Sequence, residues 1–203
     1  MKPILVLQHE VTQGPGVLLD HLESHGLPYH LCMSPLDGRA PVSARDYSGV
    51  VVLGSDRSVN DLLPWIEQEH ALLQDAVQRH VPVLGHCFGA QLLARSLGAS
   101  RTLYGPHCLN KGFCLGPHWA FQGHLEVTAD SIRQWCDHGR CELEQVYGPA
   151  AQDAEHILLG LDQHLSTLHL IARQTYQRWT DQLLERAGVA LAQIHMPSLY
   201  AGQ

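Results

Sequence analysis

The chain has 203 residues, 45% hydrophobic and 16% charged, with 13 Lys+Arg against 20 Asp+Glu for a net charge of −7. That balance excludes a disordered chain, a coiled coil and a charged tail protein. Its acidic sign argues against a phosphate-backbone binder, so no nucleic-acid partner is expected.

No apolar run approaches the roughly 20 residues of a membrane span. Met1-Lys2-Pro3 leads straight into Ile4-Leu5-Val6-Leu7, which leaves no room for a signal peptide. The six cysteines are irregularly spaced, with no CxxC pair. A single domain over residues 1–203 follows, with free thiols, a cytoplasmic location and no membrane partner.

In chain order, Ile4–Leu7 reads as a buried parallel strand. Gly14-Pro15-Gly16 breaks the chain, and Leu18, Leu19 and Leu22 then follow at helical spacing as far as a stop at Gly26. Leu27–Met33 suits a second strand, and Pro35–Ser48 reads as loop. Gly49–Gly54, with valines between glycines, is the clearest strand. Pro64 is placed to start a helix that runs through Ile66, His70, Leu73 and Val77 to His80. Val81–Gly85 is the next strand, and Gly89–Leu97 a helix closed by Gly98.

This β-α-β-α-β-α order predicts an α/β fold, an open, mostly parallel sheet with helices on both faces. From Ala99 to Pro117 no period survives. Trp119–Gln122 suits one more strand and Asp130–His138 a helix. Residues 149–187 form a C-terminal helical extension. Leu158, Leu161, Leu165, Leu168, Ile171, Tyr176, Trp179 and Leu183 mark its apolar stripe, and a bend is expected near Gly160. That stripe is either core packing or the subunit contact of a homo-oligomer.

The strongest local signal is Gly85-His86-Cys87-Phe88-Gly89 between a strand and a helix. It is the thiol version of a nucleophile elbow. A Cβ at either flanking glycine would collide with neighbouring backbone. The turn lifts the cysteine to the strand's carboxyl edge, where open α/β sheets bind ligands. The helix N-terminus behind it favours the thiolate. A buried cysteine in an ordinary strand-to-helix turn is the competing reading.

A thiol nucleophile needs a base, and the base an orienting group. In Gln122-Gly123-His124-Leu125-Glu126, His124 and Glu126 are two apart at a strand end and can face one side. His86 is an alternative base, but adjacent strand residues face opposite sides, which makes it a buried or hydrogen-bonded histidine instead. His107, Cys108, Cys114 and His118 can be drawn as a zinc site, though their spacing matches no strong zinc pattern. No metal and no cofactor is expected, and there is no GxGxxG or P-loop.

Gly85–Ala94 together with Gln122–Thr128 resembles the class I, triad-type glutamine amidotransferases, in particular the stand-alone relatives of the GMP synthase glutaminase domain. The resemblance extends to Gln8-His9-Glu10, Gly14-Pro15-Gly16, Val51–Gly54, Ser58–Asp61, Pro64-Trp65-Ile66 and the helix with Tyr176, Arg178 and Trp179.

It implies a flavodoxin-like sheet and a hydrolase that releases ammonia from glutamine or another γ-glutamyl compound. Cys87 would form a γ-glutamyl thioester, His124 would move the protons and Glu126 would orient His124. The Phe88 and Ser55 N–H groups would form the oxyanion hole, and Gln91 and Gly54 would line the substrate site. A separate synthase chain would take the ammonia. A γ-glutamyl peptidase on the same triad, and a catalytically impaired relative acting as a binding or regulatory subunit, are the alternatives.

Three departures from the family pattern stand out. Gly54-Ser55-Asp56 replaces Gly-Gly-Pro, His86 replaces an aliphatic residue, and only 37 positions separate residue 87 from residue 124. The shortened Ala99–Pro117 segment is expected to remove sheet and part of the substrate wall.

Overall fold

The computed structural model describes residues 1–37, 40–97, 103–105, 108–145, 147–148 and 151–188. The elements are β1 (Ile4–Gln8), α1 (Gly16–Ser24), β2 (Tyr29–Met33), α2 (Ser34–Asp37), β3 (Gly49–Val52), α3 (Pro64–Gln78), β4 (Val83–His86) and α4 (Phe88–Leu97). Then follow β5 (Leu103–Gly105), β6 (Cys108–Leu115), β7 (His118–Phe121), α5 (Ala129–His138), α6 (Arg140–Leu143), α7 (Ala154–Leu158) and α8 (Leu161–Arg186).

They build one seven-stranded sheet in the order β2-β1-β3-β4-β7-β6-β5. β1 to β4 and β7 pair in parallel, and β6 runs against its neighbours. This is the open, mostly parallel α/β sheet that the alternating pattern predicts.

Successive strand side chains point to opposite faces, and this sorts the core into two layers. Leu5, Leu7, Val50, Val52 and Val83 pack with Ile66, Leu72 and Leu73 of α3 and Leu92 and Leu93 of α4. Ile4, Val6, Val51, Leu53 and Leu84 pack with Leu18 and Leu22 of α1 and Tyr176, Trp179 and Leu183 of α8. The same alternation puts His86, two residues after Leu84, on the α1/α8 face.

Two stretches differ from the expectation. Pro35–Ser48 is not loop throughout, because α2 occupies its start and a 3-10 turn covers Ala44–Asp46. The Ser43 hydroxyl accepts the Arg45 N–H there, a local cap that leaves no hydrophobic period to read. Within Ala99–Pro117, β5 and β6 carry the sheet on past β7, so its described residues are largely strand. These are outer strands with mixed polar and apolar residues, and their pairing is specified by the neighbouring strand more than by local pattern. Gly98 lies outside the described residues.

The C-terminal extension divides at Gly160, whose φ of 68° ends α7 and caps α8. The buried stripe of α8 is Leu161, Leu165, Ala172, Tyr176, Trp179, Thr180, Leu183 and Leu184. Leu158 and Ile171 are exposed instead, and small Ala172 takes the inward position beside Ile171. The stripe is core packing. None of the described helices is long and apolar enough to cross a membrane.

Two stability predictions follow from this packing. Trp179 is fully buried against the sheet. Trp179→Ala should lower unfolding free energy by roughly 3–5 kcal/mol in urea titrations, through lost burial plus a cavity. The second concerns pH. Burial, then His25, lowers the pKa of His21 to about 4, and burial, then His80 and Arg186, does the same to His118. The unfolded chain takes up those protons near about 6.5, so it binds more protons than the native state below that pH. Stability should therefore fall as pH drops from about 6.5 toward about 4. Urea midpoints across that window should fall less in His21→Gln.

Candidate active site

β4 ends at His86, and the chain turns sharply into α4. Cys87 occupies that turn with φ of 50°, a left-handed conformation that a non-glycine residue rarely adopts. The surroundings hold it there. The Cys87 N–H donates to the Phe121 carbonyl at 2.8 Å, the Gly89 N–H to Leu53 at 3.2 Å, and the Gln91 N–H to Cys87 at 3.1 Å. A Cβ on Gly85 would lie 2.7 Å from the Gly89 carbonyl, and one on Gly89 would overlap the Val52 carbonyl. Both glycines are thus required by close backbone approach.

β7 lies beside β4 and delivers the second motif. His124 Nδ1 donates to Glu126 Oε1 at 2.6 Å. Cys87 lies close enough to the ring to favour its charge, and since Nδ1 is engaged by Glu126, Nε2 is the nitrogen left free. Burial opposes a charge on His124. The adjacent Cys87, and the hydrogen bond and charge of Glu126, nevertheless raise its pKa to about 10.

Glu126 is 3% exposed. Burial pushes its carboxyl up, but His86 and the hydrogen bond from His124 hold it below the usual carboxylate range. Its backbone carbonyl accepts the Val17 N–H at 3.0 Å, and a Cβ on Gly16 would overlap that same carbonyl. The Gly14-Pro15-Gly16 break therefore has a purpose: it lets α1 begin directly against the Glu126 backbone. Trp135 of α5 meets the His124 ring edge-on at 5.0 Å and donates its indole N–H to the Thr12 carbonyl at 3.0 Å.

Among the described residues, the N–H groups of Phe88 and Ser55 have no acceptor within the protein. Ser55 keeps a negative φ, so the change from glycine brings no left-handed strain. Its hydroxyl accepts the Arg57 N–H at 3.1 Å. Gly54 faces the His124 ring: a Cβ there would sit 2.7 Å from His124 Cε1 and against the Gln13 side chain. The Gly54 carbonyl accepts from His9 Nδ1 at 2.9 Å, and His9 Nε2 lies 3.0 Å from Glu69 Oε2, both side chains fully buried. Gln91 is exposed, and its side chain is tied to a neighbour. It donates to Gln122 Oε1 at 3.0 Å, and Gln122 Nε2 donates to Cys87 Sγ at 3.7 Å.

Cys87, His124 and Glu126 are thus brought together, with Gln91 one residue removed from the sulfur. Sequence reasoning assigned no role to Gln122, Gln13, Trp135 or the His9–Glu69 pair. Glu69 carried a signal: it falls on the buried face of α3 with Ile66, Leu72, Leu73 and Ala76, where a carboxylate requires a partner.

No group of three or more metal-ligating side chains occurs among the described residues. Of the four residues drawn as a zinc site, His107 and the Cys108 side chain lie outside them. Cys114 is exposed on β6, and His118 is buried on β7.

The charge on His124 depends on Glu126, which yields a spectroscopic prediction. Nitrogen-15 NMR of the imidazole should find His124 protonated well above neutral pH, with a midpoint near the value of about 10. Glu126→Gln keeps the shape but removes the anion, and the midpoint should fall by at least about one unit.

The model of the family described as "Glutamine amidotransferase class-I" matches residues 17–170. A glutamine-hydrolyzing GMP synthase of Oleidesulfovibrio alaskensis is 39% identical over 106 residues, which is 49% of this chain but only 18% of that longer protein. A glutamine amido transferase structure from Methylobacillus flagellatus superposes with a TM-score of 0.83 at 26% identity, covering 100% of both chains. A glutamine amidotransferase from Thermotoga maritima shares the fold, with a TM-score of 0.76 at 19% identity over 88% of this chain and 97% of that one. Since the family match covers well over half of the chain, this protein belongs to the class I glutamine amidotransferases.

Proposed function

We propose that the protein hydrolyses the side-chain amide of glutamine, or of another γ-glutamyl compound, to release ammonia. The observation that carries this reading is the grouping of Cys87, half-buried His124 and buried Glu126, with His124 Nδ1 on the Glu126 carboxylate at 2.6 Å and surroundings that favour a proton on the ring. In the first half-reaction, Cys87 Sγ attacks the amide carbon and the C=O electron pair moves onto oxygen. The Phe88 and Ser55 N–H groups, without an acceptor among the described residues, are available to that oxyanion. The C–N bond breaks as His124 gives its Nε2 proton to the departing nitrogen, which leaves as ammonia. A γ-glutamyl thioester remains on Cys87.

In the second half-reaction, water adds to the thioester carbon and loses a proton to neutral His124. The C–S bond then breaks, and glutamate leaves. Glu126 stays ionised throughout and holds the imidazole in the tautomer both steps require. The ammonia is consumed by a synthase chain.

Ammonia release from L-glutamine tests this directly. Cys87→Ser and His124→Asn should each lower kcat/KM on the order of 10³-fold or more, because the groups act as a unit. A glutamine-analogue electrophile should label Cys87 in the wild type. Cleavage of γ-glutamyl dipeptides with no turnover of glutamine would replace the reading with a peptidase. No turnover of either, and no label from the analogue, would leave a binding module.

A further inference from the structure

His86 is the residue that the proposed chemistry leaves unused. It is fully buried, and its Nδ1 lies 3.4 Å from Glu126 Oε2, the carboxylate oxygen that His124 does not take. Neither nitrogen of its ring has a hydrogen-bond partner of good geometry, and neither does Glu126 Oε2. Two aromatic rings fix the plane of the imidazole: Phe121 stacks on it at 6.1 Å, and Tyr176 of α8 meets it edge-on at 6.0 Å. The position follows from the strand itself, because alternation after Leu84 directs residue 86 to the α8 layer while the turn carries Cys87 to the sheet edge.

We propose that His86 is a positioning residue, a second imidazole on the far oxygen of Glu126 that extends the chain to Cys87–His124–Glu126–His86 and holds the carboxylate ionised. The physical need is plain. An ionised carboxylate with little solvent is strongly disfavoured unless both oxygens are compensated. His124 compensates one oxygen. The other faces His86, and among the described residues no lysine or arginine pairs with Glu126. The remaining titratable group near it is Tyr176, whose hydroxyl is buried without a partner. Burial and the Glu126 charge keep that phenol protonated, so it adds no charge. Without the His86 N–H, Glu126 would hold its own proton to higher pH. His124 would then lose the anion that supports its charge beside Cys87.

This inference rests on the amide hydrolysis proposed above for its catalytic meaning, but it is read out without substrate. The rate of Cys87 alkylation by iodoacetamide is followed against pH, by mass spectrometry of the Cys87 peptide. His86→Leu should move the acid limb of that profile upward by about one pH unit, roughly a tenfold slower alkylation on the limb. His86→Asn places an amide N–H near the Nδ1 position and should return the limb most of the way. His86→Phe retains the stacked ring without its nitrogens, and it gives the same removal should the leucine variant not fold. An unmoved limb in the removal variants overturns the proposal, as does a limb in His86→Asn as displaced as theirs, even if activity falls. The kcat/KM profile for glutamine, run in parallel, separates the two claims. A moved alkylation limb in a protein that never hydrolyses glutamine sinks the proposed function and leaves the role of His86 standing.

Discussion

A negative charge kept where water scarcely reaches is the constraint around which this molecule is arranged. Glu126 lies between two imidazoles, with His124 at 2.6 Å from one oxygen and His86 at 3.4 Å from the other. Its backbone is clamped by the start of α1 through the Val17 N–H. Removing a single neighbour of a buried charge is far more disruptive than the net worth of the pair suggests, because the partner is left uncompensated. The surroundings of this carboxylate are therefore drawn from opposite ends of the chain: α1 near the start clamps its backbone, and Tyr176 of α8 packs edge-on against His86.

The second requirement is a backbone that cannot relax. Cys87 sits in a left-handed turn that isolated sequence would abandon. It stays because the sheet and helix close on it from several sides. β7 accepts its N–H, Leu53 accepts that of Gly89, and the two glycines admit backbone where any side chain would collide. The loop after β3 is pinned in the same way. The buried His9–Glu69 pair holds the Gly54 carbonyl, which keeps the bare Cα of Gly54 against the His124 ring. Strain at Cys87 and order in the loops around it are two aspects of one packing arrangement.

The amide side chains over the sulfur form a further layer. Gln91 donates to Gln122, and Gln122 in turn donates to Cys87. A residue marked by resemblance as a substrate contact is here tied to a neighbour that was not singled out. Such side-chain partnerships arise from two segments, α4 and the end of β7, that meet only because β4 and β7 are adjacent in the sheet.

Much was legible from the order of residues alone. Short apolar runs between helical periods determined a parallel sheet with covered faces, since only that arrangement buries strands lacking a polar side. The glycines beside Cys87 announced a turn too tight for Cβ atoms. The two-residue spacing of His124 and Glu126 allowed them one common side. Other features had no local signature. β6 draws its regularity from pairing with β7, and β5 from pairing with β6. The inward set of α8 depends on which face meets the sheet, so Ile171 is exposed and Ala172 buried. That His86 touches Glu126, and that Gln122 reaches Cys87, only the tertiary structure decided. Periodicity records which face of an element is buried, whereas contacts between side chains distant in sequence are set by which elements become neighbours.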